Sequence, residues 1–237
     1  MAEQMNENMD CQDLLIEIGT EELPPGALNQ LSKALLKGVL QGLDKAQIPH
    51  DATAARWYAS PRRLACVIPQ VAARQPDRDM ERRGPAVAQA FDDNGEPKPA
   101  ALGFARSVGV SIDEVQRLKT DKGEWLYHRF TQPGQALAEL LPEILQKAVD
   151  GLPVPKPMRW GDYDTRFVRP VHWLVVLHGN DVLPVSVLDK TAGRTTRGHR
   201  IHASGEHEIA NPADYLSVLE KAYVLADAEQ RREQVVS

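Results

Sequence analysis

Cysteine is scarce in this sequence, with Cys11 and Cys66 alone among 237 residues. Two cysteines are too few for a disulfide framework, and their separation does not match the spacing of a metal-binding motif. This scarcity favours the reducing environment of the cytoplasm. Aromatic residues are also few, at 5%, so leucine, valine, isoleucine and alanine are predicted to fill most of the core.

Long hydrophobic runs are missing too. The longest runs, such as residues 173–177 (WLVVL), are far shorter than the roughly 20 residues that a membrane helix needs. Residues 1–10 are polar and acidic and contain no segment that would serve as a signal peptide. We therefore expect a soluble, cytoplasmic protein with no membrane partner. The net charge of −5 excludes a histone-like protein but leaves room for a local basic patch.

Recognisable catalytic motifs are absent as well. The sequence contains no GxxxxGK[ST] phosphate loop, no GxGxxG, no GxSxG nucleophile elbow and no HExxH metal motif. His199 and His202 would lie on opposite faces of a strand, so no metal site is predicted there. Glu17, Glu21 and Glu22 admit two readings, an acid–base cluster or carboxylates beside the positive end of a helix. The second reading is favoured, and no catalytic residue is predicted.

Hydrophobic periodicity divides the first part of the chain into clear elements. The composition, 42% hydrophobic and 26% charged, is typical of a globular protein with one large domain or two small ones. Residues 13–18 are a predicted strand, and residues 28–43 have apolar positions at intervals of three and four, which predicts a helix. Residues 53–59 and 62–71 are predicted strands. The opening order is therefore β-α-β-β.

The middle of the chain has a different character. Residues 72–100 carry a mixed charge run followed by glycines and prolines, which predicts loops around at most a short helix. Residues 99–108 and 111–117 are predicted small helices, and residues 117–130 a hairpin. Residues 135–150 have the apolar face of a further helix.

The strongest strand pattern comes next, at residues 171–178. A turn at residues 179–181 and a second strand at 182–188 follow it, and a third strand is predicted at 195–202. Asn211 is a predicted helix cap. A last helical pattern is still running at the final residue, which predicts that the chain is a fragment.

Together these elements predict an α+β fold with a mixed, mainly antiparallel sheet and packed helices. Three segments are expected: a β-α-β-β region at 1–72, a helical insertion with a hairpin at 73–152, and a β-hairpin region followed by helices at 153–237. The pattern leaves open whether they form one compact domain or two.

Basic residues are concentrated between residues 156 and 202, where they outnumber acidic residues eight to four in an otherwise acidic chain. The basic residues are Lys156, Arg159, Arg166, Arg169, Lys190, Arg194, Arg197 and Arg200. Aromatic residues such as Trp160 are interleaved with them and could stack on bases. Two readings remain open, because arginine suits phosphates and carboxylates equally well. The segment binds phosphate, or Arg166 and Arg169 pair with Asp162 and Asp164.

Five stretches of the sequence resemble one family, in the same order. Residues 15–25 (LIEIGTEELPP) resemble the opening signature of the bacterial glycyl-tRNA synthetase beta subunit. The further matches are 60–65 (SPRRLA), 84–86 (GPA) with 90–92 (AFD) and 103–106 (GFAR), 158–161 (MRWG) with 166–170 (RFVRP), and 196–200 (TRGHR). The resemblance therefore covers nearly the whole chain.

This resemblance implies a non-catalytic half of an enzyme. It places the class II active site, which makes glycyl-adenylate from glycine and ATP with Mg, on an alpha subunit. It implies an α2β2 heterotetramer whose beta subunit supplies most contacts to tRNA(Gly). It further implies a fold similar to the B3/B4-type module of the phenylalanyl-tRNA synthetase beta chain. No cofactor is expected on this fragment, and no activity is expected from it alone.

The predicted tRNA-binding residues come from the basic segment and from the matched motifs. They are Arg62, Arg63, Arg159, Arg194, Arg197, His199 and Arg200. Arg166, Arg169 and Trp160 are predicted either to support the structure or to contact tRNA. Two alternative functions remain open: an editing-type hydrolase of mischarged tRNA, and a structural platform that binds protein and never touches RNA.

Overall fold

A computed structural model of the protein describes residues 10–92, 94–121, 123–154, 158–159 and 166–236. The chain divides into two compact units. The first unit contains the described residues of Met1–Gln75 and Gln135–Ser237, and the second unit contains those of Pro76–Gly134.

Strands and helices are mixed along the described chain. The strands are β1 (Cys11–Thr20), β2 (Arg56–Ser60), β3 (Arg63–Ala72), β4 (Arg78–Ala86), β5 (Gln116–Thr120), β6 (Gly123–Gln132), β7 (Met158–Arg159), β8 (Arg166–Phe167), β9 (Val171–His178), β10 (Asp181–Val182), β11 (Ser186–Val187), β12 (Lys190–Thr191), β13 (Thr195–Arg197) and β14 (Glu206–Glu208). The helices are α1 (Leu28–Lys45), α2 (Val87–Ala90), α3 (Pro99–Val108), α4 (Leu137–Asp150), α5 (Tyr215–Lys221) and α6 (Ala228–Val236). Single turns of 3-10 helix lie at Pro25–Ala27, Ile112–Glu114 and Pro212–Asp214.

The first unit is built around a five-stranded antiparallel sheet in the order β10-β9-β1-β3-β2. β1 lies at its centre, where Ile16 is opposite Cys66 of β3 on one side and Val176 of β9 on the other. Two-stranded ladders pair β7 with β8, β11 with β12 and β13 with β14. The predicted α+β class and the predicted antiparallel pairing are therefore confirmed.

Helices α1 and α4 cover one face of this sheet. Leu14, Ile16 and Ile18 point towards them, because alternate residues of a strand share a face, and all three belong to the same buried core. The two helices are in close contact, since a Cβ atom on Gly42 would lie 2.4 Å from Ile144 Cγ2. Both helices occupy the predicted positions in the sequence.

The opposite face of the sheet packs against the C-terminal part of the chain. Leu15 and Leu177 share a second buried core with Tyr215, the first residue of α5. The cap predicted at Asn211 is confirmed, because its side-chain oxygen accepts a hydrogen bond from Ala213 N at 3.0 Å. The central strand is consequently buried on both faces.

The second unit contains a three-stranded antiparallel sheet in the order β4-β6-β5. Leu126 of β6 packs with Ala101 of α3 in a small core. The hairpin predicted at 117–130 is confirmed by the pairing of β5 with β6. Ser111 and Glu114 form a capping box at the 3-10 turn that precedes β5.

Two predictions for this unit are wrong. Loops were expected across 72–100, yet β4 spans Arg78–Ala86. Exposed charged residues occupy both faces of β4, so the strand lacks the alternation of apolar and polar residues that would reveal it. Its backbone instead pairs with β6, with Met80 opposite Phe130. Residues 111–117 form a single 3-10 turn before β5 rather than a helix.

The strands predicted at 182–188 and 195–202 are shorter in the structure. The first is broken into β10 and β11, and Leu188 and Asp189 then adopt φ values of +54° and +56° in the left-handed turn region. The second ends at Arg197, where the chain leaves the ladder with β14.

The compact units also differ from the segments expected from the sequence. α4 packs against α1 in the first unit, although it belonged to the predicted segment 73–152. The second unit is the shorter stretch Pro76–Gly134. Helix–helix packing across a long sequence separation therefore determines to which unit α4 belongs.

Candidate nucleic-acid interface

Four of the predicted arginines meet at one end of the five-stranded sheet. Arg62 and Arg197 line one cleft, and Arg169 lines a second. Arg200 lines both clefts, which makes them neighbours. We call these two clefts, lined by Arg62, Arg169, Arg197 and Arg200, the arginine groove.

The ends of three strands bring these side chains together. Gly19, near the end of β1, is opposite Arg63 at the start of β3 and Trp173 in β9. Because β1 is antiparallel to both neighbours, its C-terminal end lies beside the turns that precede β3 and β9. Those turns carry Arg62 and Arg169 respectively. The groove is therefore a direct consequence of the strand order.

The indole ring of Trp173 lies against the guanidinium groups of three arginines at this end of the sheet. The guanidinium carbons of Arg62, Arg63 and Arg197 lie 6.0, 5.7 and 5.5 Å from its ring centroid, within the range of cation–π attraction. A Cβ atom on Gly19 would lie 1.9 Å from the ring, so the glycine leaves the space that the indole fills. Trp173 is 8% exposed and holds the arginines in place from below.

Arg63 differs from its neighbours because it is buried, with 2% of its surface exposed. Its Nε donates to Ser60 Oγ at 3.0 Å, Nη1 donates to Thr196 Oγ1 at 3.2 Å, and Nη2 donates to the Arg197 carbonyl oxygen. Nη1 also lies 3.4 Å from Glu17 Oε2. A guanidinium enclosed in this way supports the groove from within, and the predicted contact of Arg63 with tRNA stays a prediction.

Glu17 is the centre of this buried polar network. Its carboxylate accepts hydrogen bonds from Trp173 Nε1, Thr196 Oγ1 and the Tyr215 hydroxyl. Burial, followed by the Glu17 charge, raises the pKa of Tyr215 well above its usual value, so the phenol stays a donor. Glu17 is itself 0% exposed. The network ties β1 to the β13 and α5 regions and so fixes the shape of the groove.

Glu21 and Glu22 lie in the second cleft with Arg169 and Arg200. Glu21 Oε1 is 2.9 Å from His172 Nε2, and the backbone oxygen of Glu22 accepts a hydrogen bond from Arg169 Nε at 3.1 Å. The Glu21 carboxylate is therefore held by His172, whereas Glu22 takes part through its backbone oxygen. The arrangement favours the reading of Glu21 and Glu22 as polar residues at the strand end over an acid–base cluster with Glu17.

The remaining arginines of the groove keep donors available. Arg62 Nε is buried and finds no hydrogen-bond partner among the residues that the structure describes. Arg197 Nη2 lies 4.0 Å from Glu206 Oε1, and its side chain is partly exposed. Arg200 is exposed. An unpaired donor at the cleft wall is one that an anionic ligand could satisfy.

Two other predicted residues do not line the groove. Arg194 donates from Nη2 to the Asn180 backbone oxygen at 2.9 Å, and its Nε is 3.9 Å from Glu208 Oε1. His199 accepts hydrogen bonds from backbone N–H groups of its own loop through Nδ1. Both therefore have a structural contact, which leaves their predicted contact with tRNA untested.

Several predictions fall beyond what the structure describes. Trp160, Asp162 and Asp164 lie outside the described residues, and so do the side chains of Arg159 and Arg166. The backbone register places Arg159 opposite Arg166 across the β7–β8 ladder. Whether these residues support the structure or contact tRNA stays a prediction.

The supporting residues Thr196, Trp173 and Tyr215 were not among the site residues predicted from the sequence. One signal was present, because Glu17 interrupts the apolar strand LLIEI. A charged residue at the centre of a buried strand requires partners. The sequence alone did not indicate which residues would supply them.

Features typical of two other kinds of site are absent from the part of the chain that the structure describes. Within it, no group of three or more histidine, cysteine, aspartate or glutamate side chains is placed to hold a metal ion. No helix within it combines the length and apolar character needed to cross a membrane.

Comparison with known proteins gives a consistent result. A family model described as glycyl-tRNA synthetase beta subunit matches residues 14–237. The chain is 54% identical over 227 residues to the glycine–tRNA ligase beta subunit of Chromohalobacter salexigens, covering 96% of this chain and 33% of the relative. It is 48% identical over 228 residues to that of Marinobacter nauticus and 46% identical over 228 residues to that of Coxiella burnetii, with the same coverage.

The chain thus spans about a third of the length of the curated relatives that it matches. The motifs quoted above, the match across residues 14–237 and these identities all point the same way. The chain belongs to the glycyl-tRNA synthetase beta subunit family.

Proposed function

We propose that this chain is a tRNA-engaging part of the beta subunit of a glycine–tRNA ligase. The observation that carries the proposal is the convergence of Arg62, Arg169, Arg197 and Arg200 on two adjoining clefts. Guanidinium groups present a planar fork of donors that matches phosphate oxygens. Phosphate contacts would position the tRNA on the protein without reading its bases.

The supporting network explains how such a surface would keep its shape. Trp173 lies beneath Arg62 and Arg197, and the buried pair of Glu17 and Arg63 anchors the strands below them. Side chains held by packing lose less freedom when a ligand binds, which favours affinity. The buried charges are therefore assigned to support, and the arginines that line the clefts are assigned to tRNA binding.

The roles proposed for the alpha and beta subunits are those that membership of the family implies. An alpha subunit carries the aminoacylation centre, which uses ATP with Mg, and two copies of each subunit form an α2β2 heterotetramer. The fragment contributes tRNA(Gly) engagement and alpha/beta assembly and binds no cofactor itself. A fold similar to the B3/B4-type module, and the cytoplasm as the location of the chain, belong to the same proposal.

The test measures tRNA(Gly) binding by the complete alpha/beta enzyme as a function of salt. Arg62→Gln, Arg197→Gln and Arg200→Gln should each weaken binding. Each should also reduce the slope of log K against log salt by about 0.7–0.9 for every phosphate that its arginine neutralises. The melting temperature should not change, because these side chains are not buried ion-pair partners.

Arg56→Gln is the matched control. Arg56 is an exposed arginine at the opposite end of the β2–β3 hairpin from Arg62, paired in register with Val67. It should leave both affinity and salt slope unchanged. Unchanged salt slopes in all three groove variants would contradict the proposal. If association with the alpha subunit fell at the same time, the protein-platform alternative would be supported instead.

A further inference from the structure

The loop that follows β13 packs tightly against the C-terminal end of α5. His199 N donates to the Ala222 backbone oxygen at 2.9 Å. A Cβ atom on Gly198 would lie 2.5 Å from the Ala203 oxygen and 3.0 Å from Ala222 Cβ, so this approach requires glycine. Close contact between the loop and the helix end sets the positions of the side chains that both present to solvent.

His199 is held in one orientation by its own loop. Its Nδ1 accepts hydrogen bonds from the backbone N–H groups of Ile201 and His202, both at 3.2 Å. The imidazole is therefore pre-organised by its own loop.

Three rings form a row across this junction. The centroids of His199 and His202 are 4.6 Å apart, and those of His202 and Tyr223 are 5.9 Å apart. The rings are tilted by 34° and 46° rather than parallel. Both spacings lie within the range in which aromatic rings attract one another. We call His199, His202 and Tyr223 the aromatic row.

Tyr223 is an unusual residue for its position. It follows the end of α5 with φ +57°, in the left-handed region where glycine is the common choice and a bulky residue is strained. Its side chain is nevertheless 66% exposed, so the strain is not offset by burial. Ile201, at the tip of the same loop, is 79% exposed. An exposed, strained aromatic residue indicates a binding surface.

We propose that the aromatic row is a stacking platform for an unpaired base of the bound tRNA. Arg200 lies between His199 and His202 in the sequence and lines both clefts of the arginine groove. A phosphate held by Arg200 would bring the adjoining base to this row. Aromatic rings beside arginines are the combination that binds single-stranded nucleotides. The inference rests on the proposed function.

The key variant is Tyr223→Gly in the complete alpha/beta enzyme. Glycine fits the left-handed conformation, so the melting temperature should stay the same or rise. Binding of tRNA(Gly) should weaken about 5-fold or more, the reduction expected when a base has no aromatic ring to stack on. The salt slope should not change, because every phosphate-binding arginine is still present. Tyr223→Phe should bind as the unaltered enzyme does.

A blunt-ended, fully base-paired RNA duplex provides the matched probe. Tyr223→Gly and the unaltered enzyme should bind it equally, since it offers no unpaired base. Unchanged tRNA affinity in Tyr223→Gly, with weakened binding and a lower slope in Arg200→Gln, would overturn this inference and leave the proposed function intact.

Two further outcomes are informative. If neither Tyr223→Gly nor any of the three groove variants altered tRNA binding, the proposed function would fail together with the inference. If Tyr223→Gly weakened assembly with the alpha subunit and left tRNA affinity unchanged, the row would be a protein contact and the inference would be overturned.

Discussion

Glu17 and Arg63 form an ion pair on adjacent strands in the interior of the protein, with Oε2 and Nη1 3.4 Å apart. Their side chains are 0% and 2% exposed. Each charge is compensated by further hydrogen bonds, including those from Tyr215 to Glu17 and from Arg63 to Ser60. A buried pair with these partners is strongly destabilised when one member is removed.

Replacement of Glu17 tests this directly. Glu17→Gln leaves the Arg63 guanidinium buried without its counter-charge and should lower the free energy of unfolding by about 3–5 kcal/mol. Urea unfolding of the purified chain measures the change. Glu22→Gln, at an exposed position of the following segment, should change stability by less than about 0.5 kcal/mol. Equal stability of the two variants would show that the pair is not a structural anchor.

Gly19 should not tolerate a methyl group. Because a Cβ there would lie 1.9 Å from the Trp173 ring, Gly19→Ala should displace the indole and cost about 1–3 kcal/mol in stability. Gly26→Ala is the control, since a Cβ at that position meets nothing within 4 Å. The two thermal unfolding curves should be clearly separated, with Gly26→Ala close to the unaltered chain. Coincident curves would mean that the Trp173 indole can be displaced without loss of stability.

Cys66 should make stability fall in alkaline solution. Burial raises the pKa of its thiol to about 12. Above pH about 9 the unfolded chain loses this proton while the folded chain keeps it, so the free energy of unfolding falls by up to about 1.4 kcal/mol per pH unit until the folded thiol ionises.

Urea titrations of the unaltered chain and of Cys66→Ala between about pH 8 and 10 isolate this effect, because the two proteins differ only at this thiol. The difference in stability between the two proteins should shrink as pH rises. Cys11, whose pKa is also raised by burial and by Asp10, is present in both and cancels. Parallel pH profiles would contradict a buried neutral Cys66.

Arg194 is expected to act on stability rather than on tRNA binding. Its hydrogen bond to the Asn180 oxygen joins the segment before β13 to the turn between β9 and β10, so Arg194→Gln should lower stability by about 1–2 kcal/mol. The salt dependence of tRNA binding should be unaffected, in contrast to Arg197→Gln. Weaker tRNA binding with an unchanged melting temperature would instead make Arg194 a phosphate contact, as the basic segment of the sequence predicts.

Local sequence patterns were sufficient to predict much of the sheet. Residues 171–178 contain the apolar run 173–177 and are followed by a Gly-Asn turn, and the turn conformation of Gly179 at φ +56° agrees with it. Strand β4 could not be predicted in this way, because charged residues cover it and its partner β6 lies some 50 residues away in sequence. Pairing between distant segments overrides a weak local preference.

The candidate site, too, could be predicted only in part from local sequence patterns. The concentration of arginines was visible in the sequence, whereas the difference between the buried Arg63 and the more accessible Arg62 was not. That distinction depends on Glu17 and Tyr215, which meet across 198 positions of the chain. A pattern of residue types identifies a basic segment, but tertiary contacts decide which of its charges face outward.

The central place of β1 has a consequence for biosynthesis. Its first neighbour, β3, follows within the same N-terminal region, but its second neighbour, β9, ends at His178. At roughly 5–20 residues per second, a ribosome needs on the order of 5–20 s to add the residues between those two strands. During that interval one edge of β1 remains an open template for incorrect pairing. The hairpin of β5 and β6 can form meanwhile, so the second unit can fold before β1 gains its second neighbour.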